Sequence, residues 1–150
     1  IIRNLETNHP DGYILKIDES GNLLNEEIFH SNDTISNYFF DIHFFKDQYY
    51  IIGTHYTNLW YIVINKNLEI LDENNFGIPP DSWFSYLNSI IDSDSNIVIT
   101  GYTSRWDTSP GGDTVLNNDV FFYKLSLEGD SITSRFYLTD YFLEYNNYYL

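Results

Sequence analysis

The chain has 150 residues, with 7 Lys and Arg against 22 Asp and Glu and a formal net charge of -15. That balance excludes a nucleic-acid binder, because no basic patch can displace counterions from phosphates, and it excludes an anionic membrane surface as partner. No stretch approaches the ~20 consecutive apolar residues that span a bilayer, so no membrane insertion is expected, and 43% hydrophobic with 19% aromatic content excludes a solvated, disordered chain.

Tyr (14) and Phe (11) are abundant, whereas Cys and Met are absent, as is Ala. Without Ala and Met the chain lacks two of the best helix formers, while Tyr, Phe and Ile favour a pleated, half-buried surface. The expected class is all-β. The lack of cysteine removes disulfides, thiolate nucleophiles and Cys-ligated zinc. No cofactor is expected. The sequence opens at Ile1 with no basic-then-apolar leader pattern, and the expectation is a section of a longer polypeptide.

In chain order, Ile1-Ile2 reads as the tail of a strand, so residues 1–10 are expected to complete a preceding unit. Tyr13-Ile-Leu-Lys-Ile-Asp-Glu-Ser-Gly-Asn-Leu-Leu24 then reads as strand, polar turn, strand. Phe39-Phe-Asp-Ile-His-Phe-Phe-Lys-Asp-Gln-Tyr-Tyr-Ile-Ile-Gly53 is a second hairpin, with its turn at Asp47-Gln48 and Gly53 closing the strand. The first pattern returns as Trp60-Tyr-Ile-Val-Ile-Asn-Lys-Asn-Leu-Glu-Ile-Leu71, and the second as Leu87-Asn-Ser-Ile-Ile-Asp-Ser-Asp-Ser-Asn-Ile-Val-Ile-Thr-Gly101. Residues 104–119 read as an inserted loop. Phe121-Phe-Tyr-Lys-Leu-Ser-Leu-Glu-Gly-Asp-Ser-Ile132 is the third copy of the first pattern, and a weak copy of the second begins at Tyr141 and stops at Leu150.

Asp18, Asn65 and Ser126 end their strands with residues that hydrogen-bond their own backbone in turns. Gly21 and Gly129 supply positive φ; Leu68 stands in their place in the middle copy, so that turn is expected to differ. Two hairpins per repeat of about 48 residues make one four-stranded antiparallel sheet, the period of a propeller blade. Tyr13, Leu15 and Ile17 match Trp60, Ile62 and Ile64, and then Phe121, Tyr123 and Leu125. The opposite face carries Ile14, Tyr61 and Phe122, so each sheet is expected to be packed on both sides. The expectation is about three blades of a larger β-propeller, with repeats near 11–58, 59–119 and 120–150; a sandwich or barrel of short strands is the alternative. Three blades cannot close a ring of four to eight, so the remaining blades must come from the same polypeptide or from another copy.

These segments resemble a β-propeller repeat of secreted and outer-surface bacterial proteins, several of them lipoproteins or carriers of a type 9 secretion sorting domain. Ser89-Ile-Ile-Asp-Ser-Asp-Ser-Asn-Ile-Val-Ile-Thr-Gly-Tyr-Thr103 fits the first half of that pattern, and Asp11-Gly-Tyr-Ile-Leu-Lys-Ile-Asp-Glu-Ser-Gly-Asn22 fits the second, as does Asp119-Val-Phe-Phe-Tyr-Lys-Leu-Ser-Leu-Glu-Gly-Asp130. The chain departs from it at Leu68 and at the missing Asp before Trp60. The resemblance implies a propeller and an extracellular or outer-surface location, the periplasm being possible. It implies no catalytic residues, because the shared residues build turns and blade cores.

Among site residues, Asp92, Asp94 and Asn96 alternate like oxygen ligands of a calcium loop, but Ile97 and Val98 stand where an EF-type loop needs Gly; a hairpin turn is the plainer reading. His9, His30, His43 and His55 share no ligand spacing, so no metal site is expected. Within residues 104–119, Arg105, Trp106 and Asp107 join a cation to a flat ring in a chain short of cations, a pairing suited to a sugar or an acidic side chain. With His55 and Tyr56 they form the expected ligand surface, on loops joining one blade to the next; the plainer reading is a surface loop whose Trp tucks onto the blade. Pro79-Pro80-Asp81-Ser82-Trp83-Phe84 reads as turn chemistry with a packed Trp83. No nucleophile elbow, Cys-His pair or zincin motif is present. The functional expectation is a non-catalytic binding or scaffold module with a protein or glycan partner. The alternatives are a glycan-active hydrolase or lyase whose acids lie partly outside the chain, and a secretion cargo held by its export machinery.

Overall fold

A computed structural model describes residues 2–3, 10–30, 37–77, 82–108 and 112–137. The weak copy at 141–150, His9, and Pro79, Pro80 and Asp81 lie outside them. Every described element is a strand, and every pairing is antiparallel. The chain divides into two compact units, Ile1–Gly77 and Ile78–Leu150.

The first unit holds two sheets. β1 (Ile2–Arg3), β2 (Pro10–Ile17) and β3 (Leu23–Phe29) form a three-stranded sheet in that order; β4 (Asn37–Phe45), β5 (Gln48–His55), β6 (Asn58–Ile64) and β7 (Ile70–Phe76) form a four-stranded meander. The second unit is one four-stranded meander of β8 (Ser82–Ile91), β9 (Ile97–Thr108), β10 (Thr114–Leu125) and β11 (Ser131–Tyr137). The sheets remain separate, and none is described as closing on itself.

Four hairpins are made by one turn. Asp18, Asn65, Asp92 and Ser126 each accept, at the backbone carbonyl, the N–H three residues on, from Gly21, Leu68, Ser95 and Gly129 at 3.0–3.1 Å. Their side chains cap the same loop. Asp18 Oδ1 accepts from the N–H groups of Ser20 and Asn22, Asn65 Oδ1 from Asn67 and Glu69, and Asp92 Oδ1 from Asp94 and Asn96, while Ser126 Oγ accepts from Asp130. The fourth turn residue is left-handed in all four, with φ of 85° at Gly21, 68° at Leu68, 62° at Ser95 and 83° at Gly129. The expectation that Leu68 changes its turn is therefore wrong. Leu68 takes the glycine conformation, and its side chain is buried with Ile62, Ile64 and Trp60, an apolar gain that offsets the left-handed backbone.

The β4–β5 turn is different and lies one residue earlier than expected, at Lys46 and Asp47, both with positive φ, between the paired Phe45 and Gln48. Gly53 and Gly101 do not end their strands. Each sits inside one, opposite Phe39 and Leu87, beside a bulge between Phe39 and Asp41 or between Phe84 and Tyr86. A Cβ there would overlap the carbonyl oxygen of Tyr38 or of Tyr86, so the bulge requires glycine through close backbone approach.

Within the first unit the two sheets pack face to face. Ile14 and Phe29 of the three-stranded sheet lie on Ile51, Trp60, Ile62 and Ile64 of the meander, each such large side chain stabilising by about 1.5–3 kcal/mol on burial. Phe29 meets Trp60 edge-on at 5.6 Å, and Phe39 stacks on the same indole at 5.4 Å. Polar clamps fix the register. Lys16 Nζ donates to the Lys66 carbonyl, Asn25 Nδ2 to the Asn67 carbonyl, and Asn37 Nδ2 to the carbonyls of Phe29 and His30.

Candidate functional site: the ribbon end of the β9–β10 hairpin

Residues 104–119 are not a loop between sheets. Of these, 104–108 and 114–119 prolong β9 and β10, whose pairing runs unbroken from Leu125↔Ile97 to Thr114↔Thr108. Alternation that reads as irregular polar sequence (Trp106, Thr108 against Thr114, Leu116, Asn118) is the exposed face of the paired strands. Residues 54–58 likewise lie inside a sheet, at the β5–β6 turn, where His55 pairs with Asn58. Both stretches join the second strand to the third in their own meander.

Period-two geometry separates the residues that sequence places together. Arg105 faces inward, with Nε 3.2 Å from Asp119 Oδ2 and a terminal nitrogen 3.7 Å from Asp107 Oδ2. Asp119 is fully buried, and Asn117 Nδ2 donates to Asp107 at 3.2 Å. A buried carboxylate needs such a partner, because its desolvation is otherwise uncompensated. Asp11, at the equivalent place in β2, is also buried, with His30 Nδ1 3.3 Å from it. The Arg105–Asp119 ion pair and the Asp11–His30 contact hold the entry to the central strands.

Trp106 faces the other way and is 61% exposed. It sits on the ribbon past Arg105, the last β9 residue paired to the described part of β8, so among the described residues no third strand pairs beside it. Trp83 of β8, opposite Ser104, brings its ring to 6.3 Å from that of Trp106 at 46°. Ser104, paired with Trp83, is buried, donating to Asn118 Oδ1 at 2.7 Å and hydrogen-bonded to Ser85. One exposed indole, Trp106, and one half-buried indole, Trp83, thus share a sheet face with Ser104 and exposed Asn118. Sequence reasoning names Trp106 and assigns Trp83 only to packing; the missed signal is that Trp83 pairs diagonally with it across a strand boundary.

His55 and Tyr56 form a different arrangement in the other unit. His55 Nδ1 lies 2.8 Å from Asn37 Oδ1, and its ring is 5.3 Å from Trp60, so packing occupies it. Tyr56 is exposed at the turn with φ 59°. Asp92 Oδ1 caps the β8–β9 turn and Oδ2 meets Lys124 Nζ at 2.7 Å, and this pairing holds the Asp92 carboxyl down at about 2. Among the described residues no three His, Cys, Asp or Glu side chains stand together as metal ligands. An apolar cleft of about 300 Å³ lies in the first unit between Tyr13 and Leu15 of β2 and Phe39 and Ile42 of β4.

No family model matches the chain, and neither a curated protein nor a solved structure matches it.

Proposed function

We propose that the chain is a section of a secreted or surface-exposed bacterial β-propeller that acts as a non-catalytic glycan-binding module, with Trp83 and Trp106 as its sugar platform. The observation that carries this reading is the pair of indoles, exposed Trp106 and half-buried Trp83, 6.3 Å apart on one sheet face. Flat rings bury the apolar face of a pyranose, and the amide of exposed Asn118, on the same strand face, meets a sugar hydroxyl. An acidic protein partner is disfavoured, because Arg105 lies on the other face with two carboxylates already around it. The blade reading is supported by two meanders with one shared turn and by the broadside packing of sheets inside the first unit. The sorting and surface location rest on the resemblance of the repeats alone.

The test is retention on a panel of immobilised polysaccharides, with reducing ends measured in parallel. The expected result is retention by the natural chain, lost in Trp106→Ala and in Trp83→Ala, with no release of reducing ends. Retention unchanged in both variants, or turnover of the bound glycan, overturns the proposal.

A further inference from the structure

The last strand of each sheet breaks its pairing at the same place. Ile17 pairs with Leu23 and Lys16 with Asn25, which leaves Leu24 as the extra residue of a bulge in β3. Ile64 pairs with Ile70 and Val63 with Asp72, which leaves Leu71 in β7. In the second unit Leu125 pairs with Ser131 and Lys124 with Thr133, which leaves Ile132 in β11. Counted on from Asp18, Asn65 and Ser126, the extra residues hold one position. All are aliphatic and all are open, Leu24 being 59% exposed, Leu71 50% and Ile132 53%. A regular strand sends neighbours to opposite faces, but across these bulges Leu23 beside Leu24 and Ile70 beside Leu71 are exposed as well.

β7 lies mid-chain, with one sheet before its own and one after, so the open pair belongs to the repeat and not to a terminal sheet. A bulge blunts a strand edge against pairing, but a charged residue serves that purpose, whereas an exposed leucine adds an apolar patch. In the first unit the two pairs lie at one end of the packed sheets. Asn25, next to Leu24, donates from Nδ2 to the carbonyl of Asn67, in the turn that leads into Ile70, and Lys16 reaches the Lys66 carbonyl of the same turn. Exposed carboxylates stand two residues from each extra leucine, Glu26 after Leu24 and Glu69 and Glu73 on either side of Leu71. Their hydrogen bonds come from neutral donors, Tyr13, Asn65 and Trp60, so their charge is left uncancelled.

We propose that Leu23, Leu24, Ile70 and Leu71 form a docking surface for a protein segment that combines aliphatic side chains with Lys or Arg. The aliphatic pairs bury its apolar face, and Glu26, Glu69 and Glu73 meet its cations at the rim. Charge selects this occupant. An apolar segment rich in Asp and Glu is repelled by the rim and by the net charge of -15, and an anionic bilayer is repelled in the same way.

The experiment is fluorescence anisotropy of a labelled amphipathic Leu–Lys peptide titrated with the chain, beside Leu–Glu and Ser–Lys peptides of the same length. One double variant, Leu24→Ser with Leu71→Ser, keeps the charge; the other, Glu26→Gln with Glu69→Gln, keeps the leucines. All these positions are exposed, and circular dichroism with the urea midpoint verifies folding; Leu24→Thr with Leu71→Thr replaces the serine pair if it fails this check. The natural chain is expected to bind the Leu–Lys peptide about tenfold or more tightly than either control peptide, and each double variant to lose that binding by about tenfold or more. Affinity for Leu–Lys that equals that for Ser–Lys, or that survives in the serine pair, overturns the proposal, because charge alone then explains it. A natural chain that binds none of the peptides overturns it too. So do phosphatidylcholine vesicles that take up the natural chain and not the serine pair, because the surface then serves lipid. Trp83 and Trp106 are intact throughout, so the result is independent of glycan binding.

Discussion

Leu68 offers the sharpest test of how the repeat tolerates a broken pattern. Replacing it by Gly restores the residue type found at Gly21 and Gly129 and relieves a left-handed leucine, worth about 1–2 kcal/mol. Glycine returns about 0.5–1 kcal/mol of that through its extra freedom in the unfolded chain. The same change empties a side chain that is 5% exposed against Trp60, Ile62 and Ile64, and removing a buried leucine costs about 2–5 kcal/mol. The balance is a net loss of about 2 kcal/mol for Leu68→Gly, read as a lower urea midpoint at constant slope and a Tm lower by roughly 4–8 °C. Gly21→Ala, in a turn with the same φ but open space around the new methyl, is expected to lose only about 1 kcal/mol. If Leu68→Gly is neutral or stabilising, burial does not hold Leu68 left-handed, and the reasoning fails.

Three further outcomes follow from the same geometry. Gly53→Ala and Gly101→Ala each force a Cβ onto a backbone carbonyl and should cost about 3 kcal/mol or more by urea unfolding, whereas Gly77→Ala, with nothing within 4 Å, should be near neutral. Arg105→Ala strands buried Asp119 and should cost about 2–4 kcal/mol; adding Asp119→Asn should recover part of that loss, and a strictly additive double variant would contradict the pairing. Asp92 has its carboxyl lowered to about 2 by Lys124 and by the turn N–H groups of Asn96 and Asp94. Its folded value lies below the unfolded one, so its contribution is full above about pH 4 and is lost as pH falls towards 2. Asp92→Asn should therefore flatten the stability profile across pH 4 to 2 relative to the natural chain, and an unchanged slope there would refute the assignment.

Much of the architecture is legible in the residues. Strand–turn–strand units, four strands to a sheet, and the capping roles of Asp18, Asn65 and Ser126 all follow from period-two apolar alternation and turn chemistry. Asp92 belongs with those three, but its neighbours Asp94 and Asn96 give it the look of a cation loop, and its capping role appears only in the hydrogen bonds of the turn. Leu68 misleads because residue type reports the backbone cost of a left-handed position and not the burial that offsets it. The glycine-rich centre of residues 104–119 disguises two strand extensions, since the paired positions on either side of it, Trp106 to Thr108 and Thr114 to Leu116, carry no apolar alternation. Arg105 and Trp106 are neighbours in sequence and strangers in space. Alternation makes that legible, but only once the segment is known to be a strand.

The central physical statement is that the two sheets of the first unit pack broadside through the Trp60 face. A double-mutant cycle between Phe29 and Trp60, which meet edge to face across two sheets at 5.6 Å, measures it most directly. With Phe29→Leu, Trp60→Leu and the pair compared by urea unfolding, a coupling of about 0.5–1.5 kcal/mol is expected for such an aromatic contact; losses that simply add would contradict the packing.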